Sequence, residues 1–329
     1  MMEHRRLNPL ASFSDGSKGR LNPVAPDEQD VRTCYQRDVD KIVHCKAFRR
    51  LMHKTQVFLQ PEGDHYRTRM THTLEVSRIS RTVSRALALN EDLTEAIAFG
   101  HDLGHTPFGH AGEDALSSCL GVRFRHNEQS LRVVDILEND GAGLNLTYEV
   151  RMGILGHTGE NIPETLEGRV VRKCDRIAYV NHDVDDAIRA GILTSDDIPR
   201  DISKVLGATY RQRINTLVCD MIGVSREEGD ILLSAEVEKA LDDLRSFMFE
   251  RVYRNPVAKS EEVKAKAMLC RLYEYYIAHP EALPTDFQPH LSFDGMERTV
   301  CDYIAGMTDN YAVDKYTEIF VPAGWQVRG

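Results

Sequence analysis

The sequence has no CxxC pair, no long apolar run, no internal repeat and no low-complexity tract. Its seven cysteines, at positions 34, 45, 119, 174, 219, 270 and 301, stand singly. That scatter argues against a zinc ribbon or a disulfide framework and suits reduced, buried thiols in a cytoplasmic protein. No apolar stretch approaches the roughly 18 residues that a membrane span needs, and residues 1–20 lack the apolar centre of a signal peptide. Strand-like content is almost confined to Thr55–Leu59. Positive charge is also short: 41 Lys and Arg against 51 Asp and Glu leave a net −10, which argues against indiscriminate nucleic-acid binding.

What remains is a chain of 329 residues with 42% hydrophobic content, enough to bury a sizeable core. Its punctuation and periodicity predict an all-α fold with at most a short hairpin near 55–69. Residues 1–30, rich in Asn-Pro, Asp-Gly and Ala-Pro steps, read as an extended arm, in which Arg20 is a candidate for reaching a ligand. Residues 31–195 read as the chemistry-bearing core and 196–329 as a helical region packed on it. Helices are expected over 31–53, 70–89, 93–103, 111–120, 124–137, 148–155, 167–190, 200–221, 234–253, 259–279 and 294–312. From Arg32 to Arg85 twelve Lys and Arg face five Asp and Glu, a local excess that suggests a small anionic substrate.

The densest chemistry lies in His101-Asp102-Leu103-Gly104-His105-Thr106-Pro107-Phe108-Gly109-His110-Ala111-Gly112-Glu113. Histidine and carboxylate bind divalent metals and move protons near neutral pH, and the glycines and proline predict a sharp turn between two helices. His72, His101, Asp102 and Asp175 form a candidate mononuclear metal site. Two imidazoles and two carboxylates are a mixed nitrogen and oxygen set that leaves positions for water or phosphate oxygen. Asp175 is chosen because residues 175, 179 and 183 recur every four positions on one helical face. The arms carrying His72 and His101 have unequal lengths, about 27 Å and about 14 Å at 1.5 Å per residue. These helices are therefore expected to cross at an angle if both histidines serve one ion.

The order His72, His101-Asp102, Asp175 resembles the HD-domain phosphohydrolase pattern. The surrounding text is similar to the shorter, bacterial-type branch of the deoxyguanosine triphosphate triphosphohydrolase family. The stretches that carry the likeness are Arg32-Thr33 with Gln36-Arg37-Asp38, Lys46-Ala47-Phe48-Arg49-Arg50-Leu51, His53-Lys54-Thr55-Gln56-Val57-Phe58 and Arg67-Thr68-Arg69-Met70-Thr71-His72. Residues 101–113, His126-Asn127-Glu128-Gln129-Ser130 and Asp302-Tyr303-Ile304-Ala305-Gly306-Met307-Thr308-Asp309 complete them.

The resemblance implies hydrolysis of a deoxynucleoside triphosphate to deoxynucleoside and inorganic triphosphate by attack at the α-phosphorus. It implies one divalent ion, with Mn, Mg, Fe, Ni, Co and Zn not distinguished by the ligand set. His110 and Glu113 become the catalytic pair, the carboxylate orienting and charging the imidazole, with His105 and His126 lining the phosphate channel. Arg69 and Arg176 become phosphate contacts, Gln56 and Asp183 sugar contacts, and Tyr179 a ring against the deoxyribose. A homo-oligomer, up to a hexamer, and activation by a second deoxynucleotide also follow from the family. The base preference has no readable code. The competing readings are another HD hydrolase, such as a cyclic-dinucleotide phosphodiesterase or an alarmone hydrolase, and a non-catalytic nucleotide- or single-strand-binding HD protein.

Overall fold

The computed structural model describes residues 3–24, 29–56, 67–253 and 256–322. These fold as an all-α structure of sixteen helices, α1 (Glu3–Arg6), α2 (Cys34–His44), α3 (Lys46–Arg50), α4 (Arg69–Ala86), α5 (Glu91–Gly100), α6 (His110–Leu120), α7 (His126–Arg132) and α8 (Tyr148–Gly156), then α9 (Leu166–Arg189), α10 (Arg200–Leu206), α11 (Tyr210–Glu228), α12 (Ala235–Met248), α13 (Pro256–Ala278), α14 (His290–Phe293), α15 (Met296–Ala305) and α16 (Asp309–Phe320). Among the described residues the only extended pairings are isolated bridges, Arg20 with Thr147 and Thr55 with Thr68. The second bridge pairs the two ends of the stretch near 55–69 where a hairpin is expected; residues 57–66 lie outside the described ones. No helix of the described residues is long and apolar enough to cross a membrane.

Local chemistry corrects several expected boundaries. The helix over 31–53 is divided at Cys45, which is extended and whose sulfur accepts from Phe48 N as the cap of α3. The one over 200–221 becomes α10 and α11, because Gly207 has φ +104° and Thr209 starts a new capping box with Gln212. The one over 294–312 is split when Thr308 caps α16. Asn90 caps α5 earlier than expected, at Glu91, and α5 stops at Gly100, so His101 and Asp102 open the turn instead of sitting inside the helix.

Three apolar clusters hold the chain. The central one joins α2, α5 and α8 through Ile42, Ile97 and Ile154, with Val171 and Ala178 of α9. The opposite side of α9, through Cys174, Ile177 and Val184, packs against α10, α11 and α12 and the end of α4. The third cluster gathers α6, α13, α15 and α16, and Phe108 of the histidine-rich turn is part of it. The C-terminal region therefore flanks the core on two sides, one part along α9 and the other against α6.

The N-terminal arm is stitched down, not loose. Ser12 N and Asn90 N both donate to Glu167 Oε1, each at 3.0 Å. Arg20 is held within the fold: its guanidinium pairs with buried Asp38 and donates to the carbonyls of Asn145 and Cys34. Much of the positive charge over 32–85 is likewise committed to carboxylates, Arg67 to Asp186, Arg81 to Glu95 and Arg85 to Glu91. Arg69 is the arginine of that segment that pairs with a residue of the histidine-rich turn.

Candidate active site

The site forms where five helix ends, those of α4, α5, α6, α7 and α8, converge with the middle of α9. Thr68 caps α4 in a reciprocal box with Thr71, which fixes the first turn and sets Arg69 and His72 three apart on one face. Measured from the loop joining α4 and α5, His72 is about 21 Å from Ala86 and His101 about 16 Å from Asn90 at 1.5 Å per residue. The residual offset of about 5 Å is smaller than the expected helix lengths implied and is within side-chain reach. The rings of His72 and His101 come to 5.6 Å between centroids.

Asp175 closes the group from α9. Its Oδ1 is 3.0 Å from His72 Nε2 and 3.7 Å from His101 Nε2, while Asp102 Oδ1 is 3.5 Å from His101 Nε2. His72, His101 and Asp102 are buried and offer converging ligand atoms. His101 shows why this set fits a cation. Its Nδ1–H donates to Ala98 O at 2.6 Å, which leaves Nε2 as a buried lone pair with no hydrogen-bond partner. Burial works against the negative charge of Asp175, but the hydrogen bond from His72 and the nearby His101 hold its carboxyl at about 2. Asp102, also buried, is held well below the usual carboxylate range by His101, His105 and Arg69. Arg69 Nη1 donates to Asp102 Oδ2 at 3.0 Å.

A second row of groups adjoins the first. His105 stacks on His126 at 4.1 Å, and its Nε2 is 3.6 Å from Asp102 Oδ1. His126 Nδ1 donates to Glu113 Oε1 at 2.6 Å. On its other side His126 Nε2 is 3.1 Å from His157 Nε2, and His157 Nδ1–H donates to Ile154 O at 2.7 Å. That backbone bond leaves the His157 Nε2 lone pair free to accept from His126, so His126 donates from both nitrogens and is an imidazolium. Burial alone would lower the His126 pKa, but the Glu113 carboxylate reverses this and raises it. Burial drives His157 down to about 3, and burial with Arg69 and His126 nearby puts His105 well below the ordinary imidazole value.

Glu113 is therefore hydrogen-bonded to His126 and not to His110, contrary to the spacing argument from the sequence. His110 is exposed, with its ring 6.2 Å from that of His105. Gln56 is half-buried beside the turn, its Oε1 buried without a partner. Tyr179 and Asp183 follow Asp175 along α9 and are respectively half-buried and buried. Burial, with Asp186 nearby, pushes the Asp183 carboxyl up to about 8. Arg176 points elsewhere: it pairs with Glu238 at 3.3 Å and with Asp242, both on α12. Sequence reasoning missed His157, which lies between the helices expected over 148–155 and 167–190. The signal was present, since Gly156-His157-Thr158 repeats the Gly104-His105-Thr106 pattern.

The turn depends on two glycines. A Cβ on Gly104 would lie 2.1 Å from Ser130 N and 2.6 Å from His126 O. Gly109 adopts φ +56° and ψ −126°, outside the range of other residues. Gly104→Ala should push α7, with His126, off the turn and lower stability by about 3 kcal/mol. Thermal denaturation of the metal-free chain checks this; an unshifted Tm refutes it.

Metal binding should be linked to protons. Burial would lower the His72 pKa, but its bond to Asp175 raises it above the ordinary value, and a cation displaces that proton. Affinity should climb as pH rises through this pKa and level off above it. Calorimetry at pH ~6.5 in buffers of different ionisation enthalpy should count about one proton released per ion. A heat independent of buffer would refute the linkage.

The HD domain pattern matches residues 69–180, and that of the phosphohydrolase-associated domain matches residues 231–318. A deoxyguanosinetriphosphate triphosphohydrolase-like protein of Caldanaerobacter subterraneus subsp. tengcongensis is 53% identical over 324 residues, covering 98% of this chain and 95% of that one. A protein of the same name from Clostridium perfringens strain 13 is 48% identical over 329 residues, covering 97% and 96%. A crystal structure of a hypothetical protein from Aquifex aeolicus overlays at 17% identity with a TM-score of 0.48, covering 84% of this chain and 67% of that one, too loose a likeness to place residues. With its His/Asp cluster able to hold a divalent ion and its near full-length relatives, this chain belongs to the deoxyguanosinetriphosphate triphosphohydrolase-like family of metal-dependent HD-domain phosphohydrolases.

Proposed function

We propose that the protein hydrolyses deoxynucleoside triphosphates to deoxynucleoside and inorganic triphosphate. The observation that carries this reading is the adjacency of two clusters, the His72/His101/Asp102/Asp175 group and the Glu113–His126–His157 row, joined through Asp102 and His105. A divalent ion held by the first group would polarise an α-phosphate oxygen and acidify water. Water attacks the α-phosphorus, the bond from phosphorus to the 5′ oxygen breaks, and that oxygen must be protonated as it leaves.

His110 is assigned that proton transfer because it is the exposed histidine of the turn, and Glu113 and His126 hold a proton and a fixed charge behind it. His105, neutral beside Arg69, lines the α-phosphate. Arg69 contacts phosphate through the donors it does not use on Asp102. Arg176 reaches the triphosphate only by releasing Glu238 and Asp242. Gln56, with its unpartnered Oε1, and Asp183 meet the sugar, and the Tyr179 ring crowds C2′ so that a ribose hydroxyl is rejected.

All four deoxynucleoside triphosphates, alone and in pairs, should be incubated with Mn²⁺ or Mg²⁺ and the products separated by ion chromatography. Inorganic triphosphate and deoxynucleoside are expected; phosphate or pyrophosphate as the released group overturns the assignment. The same reading makes the protein a cytoplasmic homo-oligomer, up to a hexamer, activated by a second deoxynucleotide. A native mass equal to one chain removes the first part, and hyperbolic kinetics indifferent to a second deoxynucleotide remove the last.

A further inference from the structure

The segment Asp302–Asp309, in the phosphohydrolase-associated region, holds no ligand of the cation cluster and none of the substrate contacts assigned above. Yet its three polar anchors all reach the site's framework. Asp302 accepts from Gln129 at 2.8 Å and from Arg132 at 2.8 Å, both on α7, which starts at His126. The carbonyl of Ala305 accepts from Lys54 Nζ at 2.9 Å, and the same buried nitrogen donates to the carbonyl of His105. Asp309 joins two separate stretches of backbone. Its Oδ2 accepts from Thr55 N at 3.0 Å and from Thr55 Oγ1 at 2.6 Å, and its Oδ1 accepts from Phe108 N at 3.0 Å.

We propose that Asp309 is a positioning residue that fixes the separation between Gln56 and His110, so that the associated region sets the geometry of the reaction. The claim rests on the hydrolase reading only for its kinetic arm. The two pieces held by Asp309 come from distant parts of the chain, and each lies one or two positions before a residue assigned a role above. Thr55 leads into Gln56, and Phe108-Gly109 leads into His110. Phe108 needs a restraint, because it sits at φ +59°, a conformation costly for a bulky side chain, and is followed by Gly109 at +56°. The carboxylate supplies it on one side, and burial of the Phe108 ring among α6, α13 and α15 supplies it on the other. Asp309 is 2% exposed, and each of its three donors faces a carboxylate oxygen. An asparagine at 309 has one acceptor oxygen for two backbone N–H groups, so one of them is abandoned.

The experiment compares Asp309→Asn, Thr55→Val and Thr55→Ser with the full-length wild type. Amide hydrogen exchange of the peptide covering residues 105–113, bound metal and steady-state kinetics with a deoxynucleoside triphosphate are measured. Asp309→Asn should speed exchange in that peptide about tenfold or more, leave metal loading unchanged and lower kcat about 10- to 100-fold, with a smaller change in KM. Thr55→Val, which removes one bond and keeps the shape, should move in the same direction by less, and Thr55→Ser should restore wild-type values. Unchanged exchange in 105–113, or equal losses in Thr55→Val and Thr55→Ser, overturns the proposal. If Asp309→Asn does not fold, the pair at Thr55 decides. Should the wild type hydrolyse no deoxynucleoside triphosphate, the function above fails, and the exchange data still judge Asp309.

Discussion

Asp102→Asn is expected to leave the protein without bound metal and to lower turnover by at least about 10³-fold. Loss of Lewis-acid stabilisation worth several kcal/mol corresponds to that factor. Asp102 is the point at which the two halves of the site meet. One oxygen faces His101 and His105 at 3.5 and 3.6 Å, and the other accepts from Arg69 at 3.0 Å. The amide keeps the volume but removes the charge that balances Arg69, which is 3% exposed. A buried guanidinium left without its carboxylate costs about 3 kcal/mol, so the metal-free variant should also melt lower than metal-free wild type. Elemental analysis of the purified variant and a product assay check the first claim, and a melting curve in chelator checks the second. A variant that retains stoichiometric metal would remove Asp102 from the ligand set.

Glu113→Gln should reduce kcat by about 10²- to 10³-fold without changing the metal content. The reason differs from the one the sequence suggested. Glu113 sits on His126, and its own pKa is lowered: burial raises it, but the bond from His126 outweighs that. His126 is raised for the reciprocal reason. As a linked pair they stabilise the fold most at intermediate pH. The histidine contribution is complete below its unfolded-state value and is lost as pH rises through the elevated folded one. The glutamate contribution is complete above its unfolded-state value and is lost as pH falls through the depressed folded one. Glutamine removes the support, and burial then lowers His126. ¹⁵N imidazole NMR of the metal-free protein should therefore show His126 as imidazolium at pH ~6.5 in wild type and neutral in Glu113→Gln. Identical titration in the two proteins would show that Glu113 does not control the ring.

Much of the His72, His101, Asp102 and Asp175 cluster was legible because its signals are local. His101-Asp102 is adjacent in the chain, and Asp175 announces itself by a polar four-residue period within an apolar helix. Helix type was legible for the same reason, since 3.6-residue periodicity is written over each element's own length. Boundaries failed where one residue decides: the capping by Asn90 and Thr308, the break at Gly207 and the extended backbone at Cys45 carry little weight in a periodic pattern. The basic stretch over 32–85 was legible only in part. Local charge excess does not show whether the matching carboxylates lie elsewhere in the fold, and for Arg67, Arg81 and Arg85 they do.

By itself, then, the sequence determined the all-α class and the punctuation of the turn at Gly104, Pro107 and Gly109, and it singled out His72, His101, Asp102 and Asp175, which the fold brings together. Partnership was decided by the tertiary structure. Spacing by three on one helix made Glu113 and His110 neighbours on paper, yet packing of α7 across the turn brings His126 2.6 Å from the carboxylate and leaves His110 exposed. His157, Lys54 and Asp309 enter the framework from residues 31 or more positions away from their partners in the chain. A hydrogen bond depends on separations of a few ångströms in space, and separation along the chain carries almost no information about that once helices pack against one another.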